Sequence, residues 1–227
     1  MSPGEGLFSF HLARVLPARS LASLLRPPRP ASVEGLKNAE VMLGMKLGAP
    51  VVSPRRGQLV PVAVFAQWGS EAALERFLAQ DRLGRALVDG WQARLQFARR
   101  WGEVAEFAEL GPAGPPLGRD EPVMAVTLAR MRLLQLPRFL RWGRPVEVQV
   151  RDHPGVRLAG AAMRPPHTIS TYSVWGSVAE MTGMVFERDA GPRAQRHHAA
   201  MGERERRDFH HEFTTLRFRI RSEHGGR

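Results

Sequence analysis

The chain has 227 residues, of which 43% are hydrophobic and 24% charged, with no cysteine and a formal net charge of +11. That is the composition of a globular protein large enough for one big domain or two small ones, and it excludes disulfides, thiolate catalysis, Cys-zinc and iron–sulfur sites. Of the 33 basic residues only Lys37 and Lys46 are lysines, and the arginines are spread along the chain, so the charge reads first as solvated surface, with a functional anionic partner, nucleic acid or membrane, as the alternative. The longest apolar run, LVPVAVFAQW at 59–68, is about half the roughly 20 residues of a membrane-spanning helix. The N-terminus lacks the apolar core and cleavage site of a secretory signal, so a cytoplasmic protein is expected.

In chain order, residues 7–15 read as a strand and 18–26 as a short helix, stopped by the proline-rich stretch at 26–30. Residues 39–50 and 58–68 read as two further strands, with Pro61 arguing for an edge position or a bulge in the second. Ser70 caps a helix over 70–83, with Glu71 in its first turn and Leu74, Phe77 and Leu78 on one face. Residues 91–101 alternate as a fourth strand. The segment GPAGPPLGRDE at 111–121 is glycine- and proline-rich and reads as a linker. The order then restarts: a strand at 122–132, a helix at 133–142 interrupted at Pro137, and strands at 156–164 and 167–175. A helix follows from Ser177, where S-x-x-E through Glu180 is a capping box. A further helix is expected over 193–207, and a half-buried strand over 211–221.

The restart is marked by a repeat. FAQWGSEA at 65–72 returns as YSVWGSVA at 172–179, so that Trp68, Gly69, Ser70 and Ala72 recur as Trp175, Gly176, Ser177 and Ala179. Self-similarity at half the chain length indicates domain duplication rather than a solenoid. Each half has the order β-α-β-β-α-β, the ferredoxin-like motif. The fold class expected is α+β: two fused ferredoxin-like halves, residues 1–110 and 122–227 joined by 111–121. They would pack sheet to sheet as a barrel of the dimeric α/β type, with both halves in one monomer.

The combination of RPPRPASVEGLKNAEVMLGMKLGAPVVSPRR, FAQWGSEAALERFL, TYSVWGSVAEM and DFHHEFTTLRF resembles the spheroidene monooxygenase family over nearly the whole chain, from about residue 8 to residue 222. The resemblance implies a carotenoid ketolase that oxygenates an allylic carbon, uses haem and takes electrons from a ferredoxin-type donor. It equally allows another long apolar substrate. One departure stands out: the 190s helix reads GPRAQRHHAAMGERERR, rich in arginine, which puts a haem ligand carried over from that region in doubt.

With cysteine absent, histidine is the natural axial ligand for haem iron. The paired histidines are His197 and His198 on the 190s helix, and His210 and His211 at the start of the last strand. His198 is the first candidate, since Ala194 and Met201 lie one helical turn away. The plainer alternative for each pair is a surface or helix-end role. Trp68, Trp175, Tyr172 and Phe65 sit on equivalent strands and could wall a cavity between the two sheets; alternatively each tryptophan plugs its own helix onto its own sheet. Eight methionines, Met42 to Met201, suit an adaptable apolar lining or an ordinary core. Arg204, Arg206 and Arg207 could grip haem propionates, although the interleaved Glu203 and Glu205 suit a solvated face. No dinucleotide fingerprint, phosphate loop, zinc-protease motif or nucleophile elbow is present, and no catalytic residue can be named.

Three functions compete: a haem-dependent monooxygenase, a non-catalytic α+β barrel that binds or regulates through a hydrophobic ligand, and an RNA binder. The strands carry no RNP-like aromatic pattern, so no nucleic-acid partner is expected. LASLLRPPR at 21–29 is amphipathic and is a candidate for peripheral contact with the inner membrane face; an ordinary surface helix would look the same.

Overall fold

A computed structural model describes residues 6–45, 47, 61–186 and 208–225. Eight strands close into one barrel in the order β1-β3-β2-β6-β7-β5-β8-β4. They are β1 (Leu7–Ala13), β2 (Leu36–Met45), β3 (Val62–Trp68), β4 (Trp91–Glu103), β5 (Val123–Met131), β6 (Val156–Arg164), β7 (Thr168–Trp175) and β8 (His210–His224). Every strand pair is antiparallel. The first four strands lie in the order 4-1-3-2, and the last four repeat that order. The halves meet at two seams. One is the long β4–β8 ladder, from Gln92↔His224 to Glu103↔Phe213, and the other is the short β2–β6 pairing around Gly44↔Ala162.

Among the described residues, five α-helices lie outside the barrel: α1 (Pro17–Leu25), α2 (Glu71–Gln80), α3 (Arg82–Leu87), α4 (Leu136–Arg151) and α5 (Val178–Phe186). The helix expected over 70–83 is two helices. Ser70 caps α2 by accepting the Ala73 N–H at 3.2 Å. Asp81 then ends it and caps α3, accepting from Leu83 N at 2.7 Å and Gly84 N at 3.2 Å. The helix expected over 133–142 instead starts after a 3-10 turn at Leu133–Gln135 and runs to Arg151 through Pro145. Pro61 does not mark an edge. β3 lies between β1 and β2 and begins at Val62, so no ladder N–H is asked of the proline, whose carbonyl accepts from Gly44 N at 2.7 Å. The helix expected over 193–207 lies outside the described residues. Residues 111–121 have no regular structure; Gly114 N donates to Phe97 O, and the Glu121 carboxylate accepts from the Arg219 guanidinium.

Alternation along the strands decides what is inside. Phe8 and Phe10, Phe65, Phe97, Met124, Tyr172 and Phe218 all point inward and pack with Phe107 from the 3-10 turn at Ala105–Phe107. Phe8 stacks on Phe65 with ring centroids 5.6 Å apart, and Phe10 meets Tyr172 at 4.8 Å. The two-sheet reading of the sequence predicts an oily space between the sheets. Eight strands give an interior that side chains just fill, and here aromatic rings fill it. One end is closed by charge: Arg130 reaches Glu40 at 2.7 Å and Glu106 at 2.9 Å, and Arg164 lies 2.7 Å from Glu40.

Candidate functional site

The two halves differ on their outer faces. Over the first half, α2 and α3 seal the sheet with one continuous cluster of fifteen buried residues around Val62, Val64, Ala66, Trp68 and Phe77. Over the second half the cover splits. A small cluster of Val123, Trp175, Met181 and Met184 lies at one end, and one of Ala129, Met131, Ile169 and Phe209 at the other. Beside them, beneath α4, is a cavity of about 220 Å³.

The repeat explains the difference. Aligned on the two Trp-Gly-Ser copies, Val64 and Ala66 correspond to Thr171 and Ser173. Where these two positions of β3 carry apolar side chains packed under α2 and α3, their counterparts on β7 carry hydroxyls, and both hydroxyl residues line the cavity. Thr127 adds a third hydroxyl, 3.2 Å from Thr215 Oγ1, while Ser173 Oγ accepts from Trp175 Nε1 at 2.8 Å. Phe139, Gly143, Val146, Glu147 and Val150 of α4 form the roof, and Phe209, His210 and Phe213 close one side.

His210 is the titratable base of this wall, buried at 4% exposure among Phe139, Phe209 and Phe213. Its Nδ1 lies 3.0 Å from Asp208 Oδ1, and Asp208 also accepts the His210 N–H at 3.0 Å. The carboxylate therefore fixes the ring from one side. Glu147 is the buried acid in the lining. An imidazole oriented by a carboxylate, a neighbouring carboxyl and apolar walls are parts suited to moving a proton in a space of low water content.

The sequence candidates separate here. His210 lines the cavity, whereas its neighbour His211 is exposed, as strand alternation requires. His197, His198 and Arg204, Arg206 and Arg207 lie outside the described residues. Trp68 and Trp175 are packed beneath helices: Trp68 lies 5.2 Å from Phe77 and donates to Ser9 Oγ at 2.9 Å, and Trp175 packs with Met181 and Met184. Phe65 is inside the barrel. Tyr172 belongs mainly to the same interior and also reaches the cavity wall; burial pushes its phenol up to about 12. Asp208, Glu147, Thr171, Ser173, Phe209 and Phe213 were not singled out from the sequence.

Haem fits this site in ligand chemistry and not in space. His210 has the carboxylate partner that metal-binding histidines usually have on their second nitrogen. A cavity of about 220 Å³, however, is below the roughly 300–1,000 Å³ of ordinary small-molecule sites. Among the described residues no group of three or more His, Asp or Glu could hold a metal ion, and no helix is long and apolar enough to cross a membrane.

No protein-family model matches the sequence, and no curated protein matches it. Solved structures do. The aldoxime dehydratase OxdRE, crystallised with butyraldoxime, superposes with a TM-score of 0.52 at 8% identity, over 96% of this chain and 80% of that one. An anthrone oxidase-like protein matches at 17% identity with a TM-score of 0.36, over 98% and 93% of the two chains. A ferredoxin-fold protein from Listeria monocytogenes, described as related to antibiotic biosynthesis monooxygenases, matches at 11% identity with a TM-score of 0.29, over 93% and 95%. At 8% identity the likeness to the aldoxime dehydratase establishes the fold alone.

Proposed function

We propose that this protein is a monooxygenase-type oxidoreductase that takes a small, flat apolar molecule into the cavity beneath α4. The observation that carries this reading is the Asp208–His210 pair on the wall of an apolar space. A cavity of roughly 150 Å³ lined by apolar side chains is known to take benzene, so about 220 Å³ suits a somewhat larger ring system. It favours such a substrate over the forty-carbon polyene that the resemblance to spheroidene monooxygenases carries.

His210 acts as the base and Asp208 holds its ring in place. The most suitable substrate has an activated methylene. Loss of a proton to His210 leaves a carbanion able to reduce dioxygen, and the balance closes without another reductant. A methylene gives up two hydrogens and four electrons, and dioxygen supplies one atom to the new carbonyl and one to water. A substrate with an unactivated C–H would need two further electrons from an external donor of the ferredoxin type.

The second reading, haem held by His210, is favoured by the Asp208 contact alone and meets the size objection above. We read residues 1–110 and 122–227 as two copies of one ferredoxin-like unit, the first given over to packing and the second to ligand, so that one monomer holds the complete site.

Oxygen uptake with anthrone as probe is the test. The wild type should accelerate oxidation to the quinone, and His210→Ala should lose that acceleration. No acceleration with anthrone, or an unchanged rate in the variant, removes His210 as the base. A haem titration separates the second reading: a Soret band that disappears in His210→Ala would establish it. A protein that binds the probe without oxygen uptake would be the non-catalytic barrel.

A further inference from the structure

We propose that the surface formed by α1 and α3 docks on an anionic lipid bilayer. α1 leaves much of its apolar surface open to solvent. Its one buried residue is Ser20, whose hydroxyl donates to Val15 O and Leu16 O, both at 3.2 Å. Two of its three leucines face outward, Leu21 at 58% and Leu25 at 71% exposed, while Leu24 packs half-buried against the core; Leu16, just before the helix, is 67% exposed. Leu21 and Leu25 are four residues apart and so share one helical face. Val88, following α3, adds a further exposed apolar side chain.

The same surface is cationic. Arg14, Arg19, Arg82 and Arg85 line a groove between α1 and α3 in which Asp89 is the one acid, and Arg26 and Arg29 follow α1. Among the described residues, no carboxylate lies within 4.0 Å of any of these six guanidiniums. Arg85 donates instead to the Gln80 carbonyl at 2.9 Å. Elsewhere the chain does pair its arginines, as at Arg94–Glu75 and Arg219–Glu121.

Exposed leucines flanked by unpaired arginines give the two signals that hold a protein on a membrane surface, apolar insertion and attraction to anionic headgroups. A nucleic acid would use the arginines and gain nothing from the leucines. The proposal is independent of the chemistry under α4, which lies over the other half of the barrel.

Vesicle flotation with the full chain tests it, comparing phosphatidylcholine vesicles with vesicles that also contain phosphatidylglycerol. Binding is expected only to the anionic vesicles and should weaken as salt rises. Replacing arginines in Arg19→Gln plus Arg82→Gln should weaken it by about fivefold for each charge removed. Leu21→Glu plus Leu25→Glu should abolish it. All four positions are exposed, and an unchanged circular dichroism spectrum confirms the fold. Arg99→Gln, at an exposed β4 arginine that stacks on Trp101 and, among the described residues, meets no carboxylate, should bind as the wild type does. The proposal fails if the chain does not float, if neutral vesicles bind it equally, or if Arg99→Gln loses as much as the paired variant. It fails too if RNA displaces the protein with the same dependence on arginines and none on leucines.

Discussion

Tyr172 lies directly across the β6–β7 pair from Gly160, and a Cβ on Gly160 would stand 2.2 Å from the tyrosine hydroxyl. The ring occupies the space that any other residue would fill. Through Tyr172 the barrel interior and the cavity beneath α4 share a wall.

Gly160→Ala should therefore displace the ring and cost about 1–3 kcal/mol, as overpacking of a filled core does. Tyr172 is the single tyrosine, so absorbance titration of phenolate reads it alone. In the wild type it titrates at about 12 because burial disfavours the charged ring. In Gly160→Ala it should move down toward the ordinary tyrosine value of about 10. A value that stays near 12 would mean that the ring never moved.

His11 makes acid stability measurable. It is fully buried on the outer face of β1 with no hydrogen-bond partner on either ring nitrogen. Burial, helped by the charge on Arg94, lowers its pKa from 6.5 to about 3. The folded protein thus holds His11 neutral while the unfolded chain takes up a proton below 6.5. The contribution to stability is complete above 6.5 and is lost as the pH falls from there toward 3, by about 1.4 kcal/mol per pH unit. Urea unfolding at several pH values should show this component of the slope in the wild type, and His11→Leu should lack it.

The barrel was legible in the sequence because its two signals are local and repeated. Period-two alternation marks the strands, and the Trp-Gly-Ser repeat marks the matching strand-to-helix turns of β3–α2 and β7–α5. The closed interior was not, because alternation says which residues share a face and not whether that face meets a packed core or a hollow. α4 runs past the end that the sequence suggests: Gly143 and Pro145 usually end a helix, yet here the helix passes through both. The cavity did leave a trace in the change from Val64 and Ala66 to Thr171 and Ser173. It is visible only when the two copies are compared outside the conserved-looking tripeptide. His210 could be placed among the candidates by residue type, but Glu147 could not, because an acid in an arginine-rich helix looks like surface.

Asp208 should act through His210 and not on substrate directly. Asp208→Asn keeps the shape and removes the charge that orients the ring. Partners of this kind are typically worth 10–100-fold, so oxygen uptake with anthrone should fall by roughly tenfold or more in kcat, with KM little changed. Loss of the probe's affinity instead would place Asp208 in binding.

Gly143 offers the opposite experiment, filling the site instead of disabling it. It lies on α4 in the cavity roof, and a Cβ built there has no neighbour nearer than Phe139 Cζ at 4.0 Å. Gly143→Leu replaces a poor helix former by a good one, a gain of about 1 kcal/mol, and puts its side chain into space that is otherwise open to ligand. The variant should melt a few degrees higher and lose binding and oxidation of the probe together. Greater stability with binding intact would mean that the ligand sits elsewhere, since a leucine accommodated without loss of binding cannot share about 220 Å³ with a ring system of comparable size.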